Sequence, residues 1–235
     1  MRLLLISNST NFGGGYLDHA LEPIQRFLGS QITRVLFVPY AGVTVTFDDY
    51  ARKVTDKIAM IGYQVDSIHR FADKRRAIAE AQAIAVGGGN TFYLLDRLYQ
   101  DQLLPELRRK VLDGTPFLGW SAGANVACPT IMTTNDMPIV QPPSFKALGL
   151  IPFQINPHYT EEVIPRHQGE TRAQRLHEYL VANPEVTVVG LREGSILQVE
   201  GEGMELLGQN QLKVFRYGAE DRDYTPQDDL RFLLQ

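Results

Sequence analysis

Thr115-Pro-Phe-Leu-Gly-Trp-Ser-Ala-Gly-Ala-Asn125 is the stretch that decides how the rest of this sequence is interpreted. Pro116 to Leu118 are typical of a short buried strand, and a G-x-S-x-G run follows, with small residues after it that can begin a helix. A serine on such a sharp strand-to-helix turn has the layout of a nucleophile elbow. The helix directs its N–H groups and positive dipole end at any anion that forms beside Ser121. Because the string also occurs by chance, the prediction of a nucleophile depends on partners elsewhere in the chain.

The composition is that of an ordinary globular protein and excludes several classes. The 235 residues are 44% hydrophobic and 21% charged, with a net charge of −4. This acidic balance argues against a nucleic-acid partner, and no apolar run is long enough to predict a membrane span. The single cysteine, Cys128, favours a reducing, cytoplasmic location. No cluster of Cys and His indicates a metal, and no cofactor is expected. The sequence leaves the oligomeric state open, a homodimer included.

Strand and helix patterns alternate regularly before the serine stretch. Apolar runs typical of buried parallel strands cover 3–7, 34–39, 65–71 and 84–86, and helical patterns follow at 17–28, 47–61, 73–81 and 91–98. This alternation predicts an α/β fold with a doubly wound, mostly parallel sheet, built as a single domain over residues 1–235. Residues 196–199 and 204–207 predict a C-terminal β-hairpin, for which 212–215 are a candidate third strand.

His158 is the preferred base for Ser121. A serine hydroxyl needs a base to accept its proton and a third group to fix that base. His158 follows an apolar extended run and Asn156-Pro157, so we expect it at the same sheet edge as Ser121. His167, in a loop, is the weaker alternative. The remaining histidines fall within predicted helices or a strand and are interpreted as structural or solvent-facing: His19, His69 and His177.

Two carboxylates are candidates for the third group, which holds the histidine in place. Glu193 follows the strand predicted over 186–191, and Gly194 permits a turn that directs it back toward the histidine. Asp136 is the rival, which could instead cap a turn or accept the amine of a substrate. The order serine, histidine, acid differs from that of α/β-hydrolases. It is the order of class I glutamine amidotransferase-like (flavodoxin-like) folds, in which cysteine usually occupies the elbow.

The Gly87-Gly88-Gly89-Asn90 run admits three interpretations: a phosphate cradle, an oxyanion hole or a plain tight turn. Its spacing matches neither of the common nucleotide-binding glycine motifs. We favour the oxyanion hole, in which N–H groups of Gly88 and Ala122 converge on the developing negative charge.

Five motifs in register resemble the peptidase E family of serine peptidases, which also includes cyanophycinase. They are Gly87-Gly-Gly-Asn-Thr-Phe92, Gly119-Trp-Ser-Ala-Gly-Ala-Asn125, Thr133-Thr-Asn-Asp-Met-Pro138, Gln154-Ile-Asn-Pro-His158 and Gly169-Glu-Thr-Arg172. The resemblance implies a triad of Ser121, His158 and Glu193 that releases N-terminal aspartate from small Asp-X dipeptides. Arg192 precedes the glutamate where we expect proline in close relatives.

Selectivity for aspartate requires a cation for the β-carboxylate, and the planar fork of arginine suits a carboxylate. Arg172 is our candidate, with Asn90 as a polar helper and Asp136 as an acceptor for the α-amine.

Three other functions compete with this prediction. The first is a cyanophycinase-like peptidase acting on β-linked aspartyl-arginine polymer, which would need acidic groups for the arginine side chains. The second is a non-catalytic ligand-binding or sensor protein of the same fold. The third is a nucleotide-binding protein that uses the glycine run.

Overall fold

The computed structural model describes residues 1–163, 166 and 168–235. Within this part the strands are β1 (Arg2–Ile6), β2 (Arg34–Val38), β3 (Gln64–Ser67), β4 (Ile84–Val86), β5 (Phe117–Trp120), β6 (Gln154–Tyr159), β7 (Thr187–Arg192), β8 (Ile196–Glu200), β9 (Gly203–Leu207), β10 (Leu212–Arg216) and β11 (Arg222–Tyr224). The α-helices are α1 (Leu21–Leu28), α2 (Phe47–Ala59), α3 (Lys74–Glu80), α4 (Thr91–Gln100), α5 (Leu104–Leu112), α6 (Ala122–Asn125) and α7 (Arg172–Ala182). None of the helices in this part is long and apolar enough to cross a bilayer.

The larger sheet, in its described part, has seven strands in the order β3-β2-β4-β5-β1-β8-β9. The first five are parallel, and the β8–β9 hairpin adds to β1 in antiparallel orientation. Strand β1 lies between β5 and β8, and Leu3 to Ile6 are fully buried, as its continuous apolar run requires. The predicted α/β fold with a mostly parallel sheet and a C-terminal hairpin is therefore confirmed.

Helices cover both faces of this sheet because successive strand residues point to opposite sides. Leu4 and Ile6 pack with apolar side chains of α1 and α2. Leu3 and Leu5 belong to the cluster on the other face, which includes side chains of α3, α4, α5 and α6. The layers thus fix β1 and β5 from two sides, at the centre of the core.

A second, four-stranded sheet has the order β11-β10-β7-β6. Leu212 to Arg216 pair with β7, not with the β8–β9 hairpin, so the expectation for residues 212–215 was wrong. The alternation of buried and exposed residues identifies a strand but not its neighbour. Val189 and Leu191 pack toward the first sheet, whereas Val188 and Phe215 pack against α7.

Ser7, immediately after β1, links the two sheets. Its side chain is fully buried, and its hydroxyl donates to the carbonyl oxygen of Leu191 in β7 at 2.7 Å. Ser7 Oγ also accepts a hydrogen bond from the backbone N–H of His158 in β6 at 2.9 Å. One hydroxyl therefore holds the end of a first-sheet strand against two strands of the second sheet.

We expect Ser7→Ala to lower the free energy of unfolding by about 1–3 kcal/mol, because it leaves the Leu191 carbonyl and the His158 N–H buried without this partner. Urea unfolding at neutral pH measures the change. Ser30→Ala, at an exposed position, is the control and should lie within about 0.5 kcal/mol of the parent protein. Equal stabilities for the two variants would contradict the role given to Ser7.

Candidate active site

Ser121 lies on a strained turn between β5 and α6. Its φ of 54° and ψ of −113° are a backbone conformation that a non-glycine residue adopts only at a cost of about 1–3 kcal/mol. The flanking glycines make this turn sterically feasible. A Cβ on Gly119 would lie 2.3 Å from the Gly123 carbonyl oxygen, and one on Gly123 would lie 2.0 Å from the Val86 carbonyl oxygen. The turn predicted as a nucleophile elbow is therefore formed.

His158 is directed at the serine by an irregularity in β6. The pairing register with β7 shifts between Asn156 and Tyr159, and His158 has a positive φ of 51°. An extra residue in a strand re-aims the side chain at that point. The distance between Ser121 Oγ and His158 Nε2 is 2.9 Å.

Glu193 contacts the other ring nitrogen of His158. Its Oε1 lies 2.7 Å from His158 Nδ1. The turn that carries Glu193 is held at two points. Asn210 donates to the Glu193 carbonyl oxygen at 2.6 Å, and the Gly194 N–H donates to Asn8 Oδ1 at 2.8 Å. The serine thus comes from the first sheet, and the histidine and glutamate come from the second, so the expectation that Ser121 and His158 share one sheet edge was wrong.

Asp136 has a different set of contacts. Its Oδ2 accepts the backbone N–H of Thr91 at 2.7 Å, the Thr91 hydroxyl at 2.6 Å and the Thr134 hydroxyl at 3.0 Å. It therefore stabilises the first turn of α4, and the carboxylate that the structure brings to His158 is that of Glu193. Its proposed contact with a substrate amine stays a prediction.

The Thr133–Pro138 motif supports the strand that carries His158. Asn156 donates to the Thr133 carbonyl oxygen at 2.8 Å and to Asn135 Oδ1 at 2.6 Å. Asn135 in turn donates to the Pro157 carbonyl oxygen at 2.6 Å. These contacts fix the backbone on the N-terminal side of the histidine.

The glycine run lies directly against the serine. A Cβ on Gly88 would be 3.0 Å from Ser121 Cβ, tighter than an ordinary van der Waals contact, so glycine favours this close approach. The Tyr50 hydroxyl donates to the Gly88 carbonyl oxygen at 2.9 Å and accepts from Trp120 Nε1 at 3.2 Å. Burial raises the pKa of Tyr50, which keeps it a neutral donor. Ala122 begins α6, so its N–H has no partner within that helix.

A cavity of about 610 Å³ opens at Ser121 and His158. Its wall includes Tyr50 and Lys53 of α2 and the Gly88–Asn90 segment. Asn90 caps α4 through its side-chain oxygen, 3.0 Å from the Tyr93 nitrogen, and its Nδ2 donates to the Met137 carbonyl oxygen at 2.9 Å. Asn90 is therefore beside the serine, as predicted, with both amide atoms already in contact with protein.

Arg172 lies elsewhere, as the first residue of α7. It lines a separate cavity of about 180 Å³ together with Thr160, Glu162 and Glu170. Its Nη1 is buried without a hydrogen-bond partner among the described residues, and burial lowers the pKa of the guanidinium. A guanidinium nitrogen buried without a hydrogen-bond partner among the described residues is unfavourable, which makes Arg172 a candidate for binding an anion.

The other histidines of the described part of the chain, His19, His69 and His177, take no part in these contacts. His69 lies in a 3₁₀ turn rather than a strand, 2.7 Å from Ser67 Oγ, and His177 lies 3.0 Å from Asp221 Oδ2. Burial lowers the pKa of His19. His167 lies outside the described residues.

Sequence reasoning missed Ser7, Asn8 and Tyr50, which hold the site together. Ser7 and Asn8 follow β1 at the same sheet edge as Ser121, and this adjacency is the signal that could have found them. Tyr50 lies among buried apolar residues of α2, and nothing in the pattern distinguishes its hydroxyl.

Arg192, at the position where we expected proline, joins the segments that carry His158 and Glu193. It pairs with Glu161, three residues after His158, and with Asp223 of β11 at 2.8 Å. Lys213 pairs with Asp223 at 3.1 Å. Burial alone would raise the pKa of Asp223, but hydrogen bonds from Arg192 and Lys213 outweigh it and hold that pKa below its usual range. The pKa of Glu161 is lowered in the same way, mainly by Arg192.

The sequence and the fold of this chain are similar to those of known proteins. The profile of peptidase family S51 matches residues 3–207. A Peptidase E of Nostoc sp. is 51% identical over 234 residues, which cover 100% of this chain and 97% of the relative. A Peptidase E of Salmonella typhimurium is 50% identical over 220 residues, which cover 94% and 96% of the two chains. The crystal structure of a peptidase from an acI-B1 actinobacterium has the same fold, with a TM-score of 0.71 over 97% of this chain and 96% of that one, at 15% identity.

The fold and these matches define a peptidase. The chain belongs to peptidase family S51, and the resemblance inferred from the five motifs is confirmed.

We expect the Arg192 contacts to make stability sensitive to acid. Because the pKa values of Asp223 and Glu161 are lower in the folded protein than in the unfolded chain, the stabilisation is complete above the unfolded value of about 4 and is lost as the pH falls through the folded values. Urea unfolding between pH 7 and pH 3 should show a shallower loss of stability in Arg192→Met than in the parent protein. Arg52→Met, which removes an exposed pair with Asp49, is the control. An unchanged pH dependence in Arg192→Met would contradict this assignment.

Proposed function

We propose that this peptidase is a serine dipeptidase that hydrolyses Asp-X dipeptides with an N-terminal L-aspartate. The observation that carries the proposal is the continuous contact from Ser121 Oγ to His158 Nε2 at 2.9 Å and from His158 Nδ1 to Glu193 Oε1 at 2.7 Å. The likeness of the five sequence motifs to the peptidase E family supports aspartate as the residue released.

In this mechanism Ser121 attacks the scissile carbonyl carbon while His158 accepts its proton at Nε2. Glu193 accepts the hydrogen bond from Nδ1–H, which holds the tautomer and stabilises the imidazolium. N–H groups of Gly88 and Ala122 stabilise the oxyanion, each worth about 3–4 kcal/mol of barrier. His158 then protonates the leaving amine, and water hydrolyses the aspartyl ester by the same steps in reverse roles.

Arg172 is proposed to bind the β-carboxylate of the substrate. The support is its buried Nη1, which lacks a hydrogen-bond partner among the described residues. Thr171 and Gln174 form a reciprocal capping box at the start of α7, which fixes the backbone that carries the arginine.

The alternative functions receive less support. A polymer with arginine side chains calls for acidic groups near the serine, and the described residues lining that cavity include neither Asp nor Glu. A phosphate cradle requires outward N–H groups. However, Gly87 N–H donates to the Val38 carbonyl oxygen at 3.1 Å and Asn90 N–H to the Ala41 carbonyl oxygen at 2.9 Å.

We expect Ser121→Ala to lower kcat for Asp-Leu by at least about 10⁴-fold, because the nucleophile is lost while the fold is kept. The assay panel is Asp-Leu, Glu-Leu, Asn-Leu, β-Asp-Leu and cyanophycin, followed by amino-acid release. Cleavage of Asp-Leu alone supports the proposal. No cleavage of any substrate by the parent protein, or full activity in Ser121→Ala, would overturn it, and cleavage of cyanophycin alone would replace it with the polymer-cleaving alternative.

We expect Arg172→Met to reduce kcat/KM for Asp-Leu by about 10- to 100-fold, since a charge-assisted contact with the β-carboxylate is lost. Activity on Asn-Leu, which lacks that charge, should change much less. Arg26→Met, at an exposed position on α1, is the control. If the ratio of kcat/KM for Asp-Leu to kcat/KM for Asn-Leu is the same in Arg172→Met and in the parent protein, another residue selects aspartate.

A further inference from the structure

Lys53 is a cation of the Ser121 cavity that the steps above do not use. It lies on α2, one turn after Tyr50, and it is the only lysine or arginine among the described residues that line this cavity. Its exposed side chain places Nζ 4.0 Å from the centroid of the Tyr16 ring, which lines the same cavity.

Lys53 also differs from the neighbouring cations of its helix. Arg52 pairs with Asp49 and Lys57 pairs with Asp18, whereas the described ion pairs include none with Lys53. A contact with an aromatic face leaves the charge available to an anion. The ammonium group that lines the Ser121 cavity is therefore without a carboxylate partner in the described part of the chain.

A series of aromatic contacts connects Lys53 to the turn that carries Ser121. The Tyr16 ring packs edge to face with Trp120, with centroids 6.5 Å apart, and Trp120 precedes Ser121. The Tyr16 and Tyr50 hydroxyls are 3.4 Å apart, and Tyr50 donates to the Gly88 carbonyl oxygen. The platform under the ammonium group is thus part of the structure that supports Ser121 and Gly88.

Part of this cavity wall is apolar. Val43, Val45 and Ile139 line it and remain 49%, 41% and 50% exposed. Exposed apolar side chains next to one unpaired cation are complementary to a residue with an apolar side chain and a free carboxylate. The leaving residue of an Asp-Leu substrate has both.

The substrate of the proposed reaction carries two carboxylates. Arg172, assigned to the aspartyl one, lines a different cavity. The C-terminal carboxylate of a dipeptide lies only about 3–4 Å from the scissile carbonyl carbon, so a cation of the Ser121 cavity is suitably placed to bind it. Lys53 is such a cation.

We propose that Lys53 binds the C-terminal carboxylate of the substrate and thereby restricts the enzyme to dipeptides. This inference rests on the proposed function. A substrate with a blocked C-terminus or a third residue has no negative charge at the position next to Lys53. The ammonium group then forms no ion pair with the substrate.

The test compares Asp-Leu with Asp-Leu amide, which differ only in the C-terminal charge. We expect Lys53→Met to reduce kcat/KM for Asp-Leu by about 10- to 100-fold, chiefly through KM, and to change kcat/KM for the amide by less than about twofold. Lys53→Arg should recover most of the activity on Asp-Leu. Lys57→Met, which removes a paired lysine of the same helix outside the cavity, is the matched control, and thermal melting should give the same Tm for both methionine variants.

Each alternative outcome has a separate meaning. An equal loss on both substrates would overturn the proposal and assign Lys53 to the aspartyl carboxylate. No loss on either substrate would also overturn it and leave the proposed function intact. A parent protein inactive on Asp-Leu would overturn the proposed function, and this inference with it.

Discussion

The buried hydroxyl of Ser7 is the contact on which the candidate site depends. The parallel sheet that ends at Ser121 and the smaller sheet that carries His158 and Glu193 are separate hydrogen-bonded units. Ser7 donates to one strand of the smaller sheet and accepts from another, within a few ångströms of the histidine. Asn8 adds a contact with Gly194, beside the glutamate. The distances between the three polar side chains are therefore set by how the sheets dock, and two consecutive residues after β1 fix that docking.

Several residues of the five motifs serve as supports for this geometry rather than as reacting groups. Asn135 and Asn156 form a hydrogen-bonded bracket around the backbone before His158. Asp136 is occupied by the first turn of α4. Arg192 adds an ion-paired connection across the segments that follow the histidine and precede the glutamate. A histidine held at positive φ needs such reinforcement, because an unsupported backbone would relax to a more populated conformation.

The sequence predicted the layered fold, Ser121 and His158 because these follow from local patterns, whereas the choice of Glu193 over Asp136 came from the resemblance to a known family. Apolar runs identify parallel strands, and the glycines around Ser121 are demanded by contacts with Gly123 and Val86 that allow no Cβ. What was missed depends on pairing between distant segments. The polar strand β11 has no apolar pattern to identify it, and β10 joins β7 because of the three-dimensional docking of the second sheet. The register shift that aims His158 is likewise a property of the paired strands and has no signature within either strand alone.

The order in which the chain visits its two sheets has a consequence for biosynthesis. Along the chain, β1 to β5 belong to the first sheet and β6 and β7 to the second. Strands β8 and β9 then belong to the first sheet again, and β10 and β11 to the second. A nascent chain that has emerged as far as residue 130 carries the serine turn but lacks the histidine and the glutamate. The first sheet is complete only once β9 has been synthesised, and the second only once β11 has been synthesised. The hydrogen-bonded site therefore cannot form until the segment that carries Glu193 has been synthesised, 72 residues after Ser121.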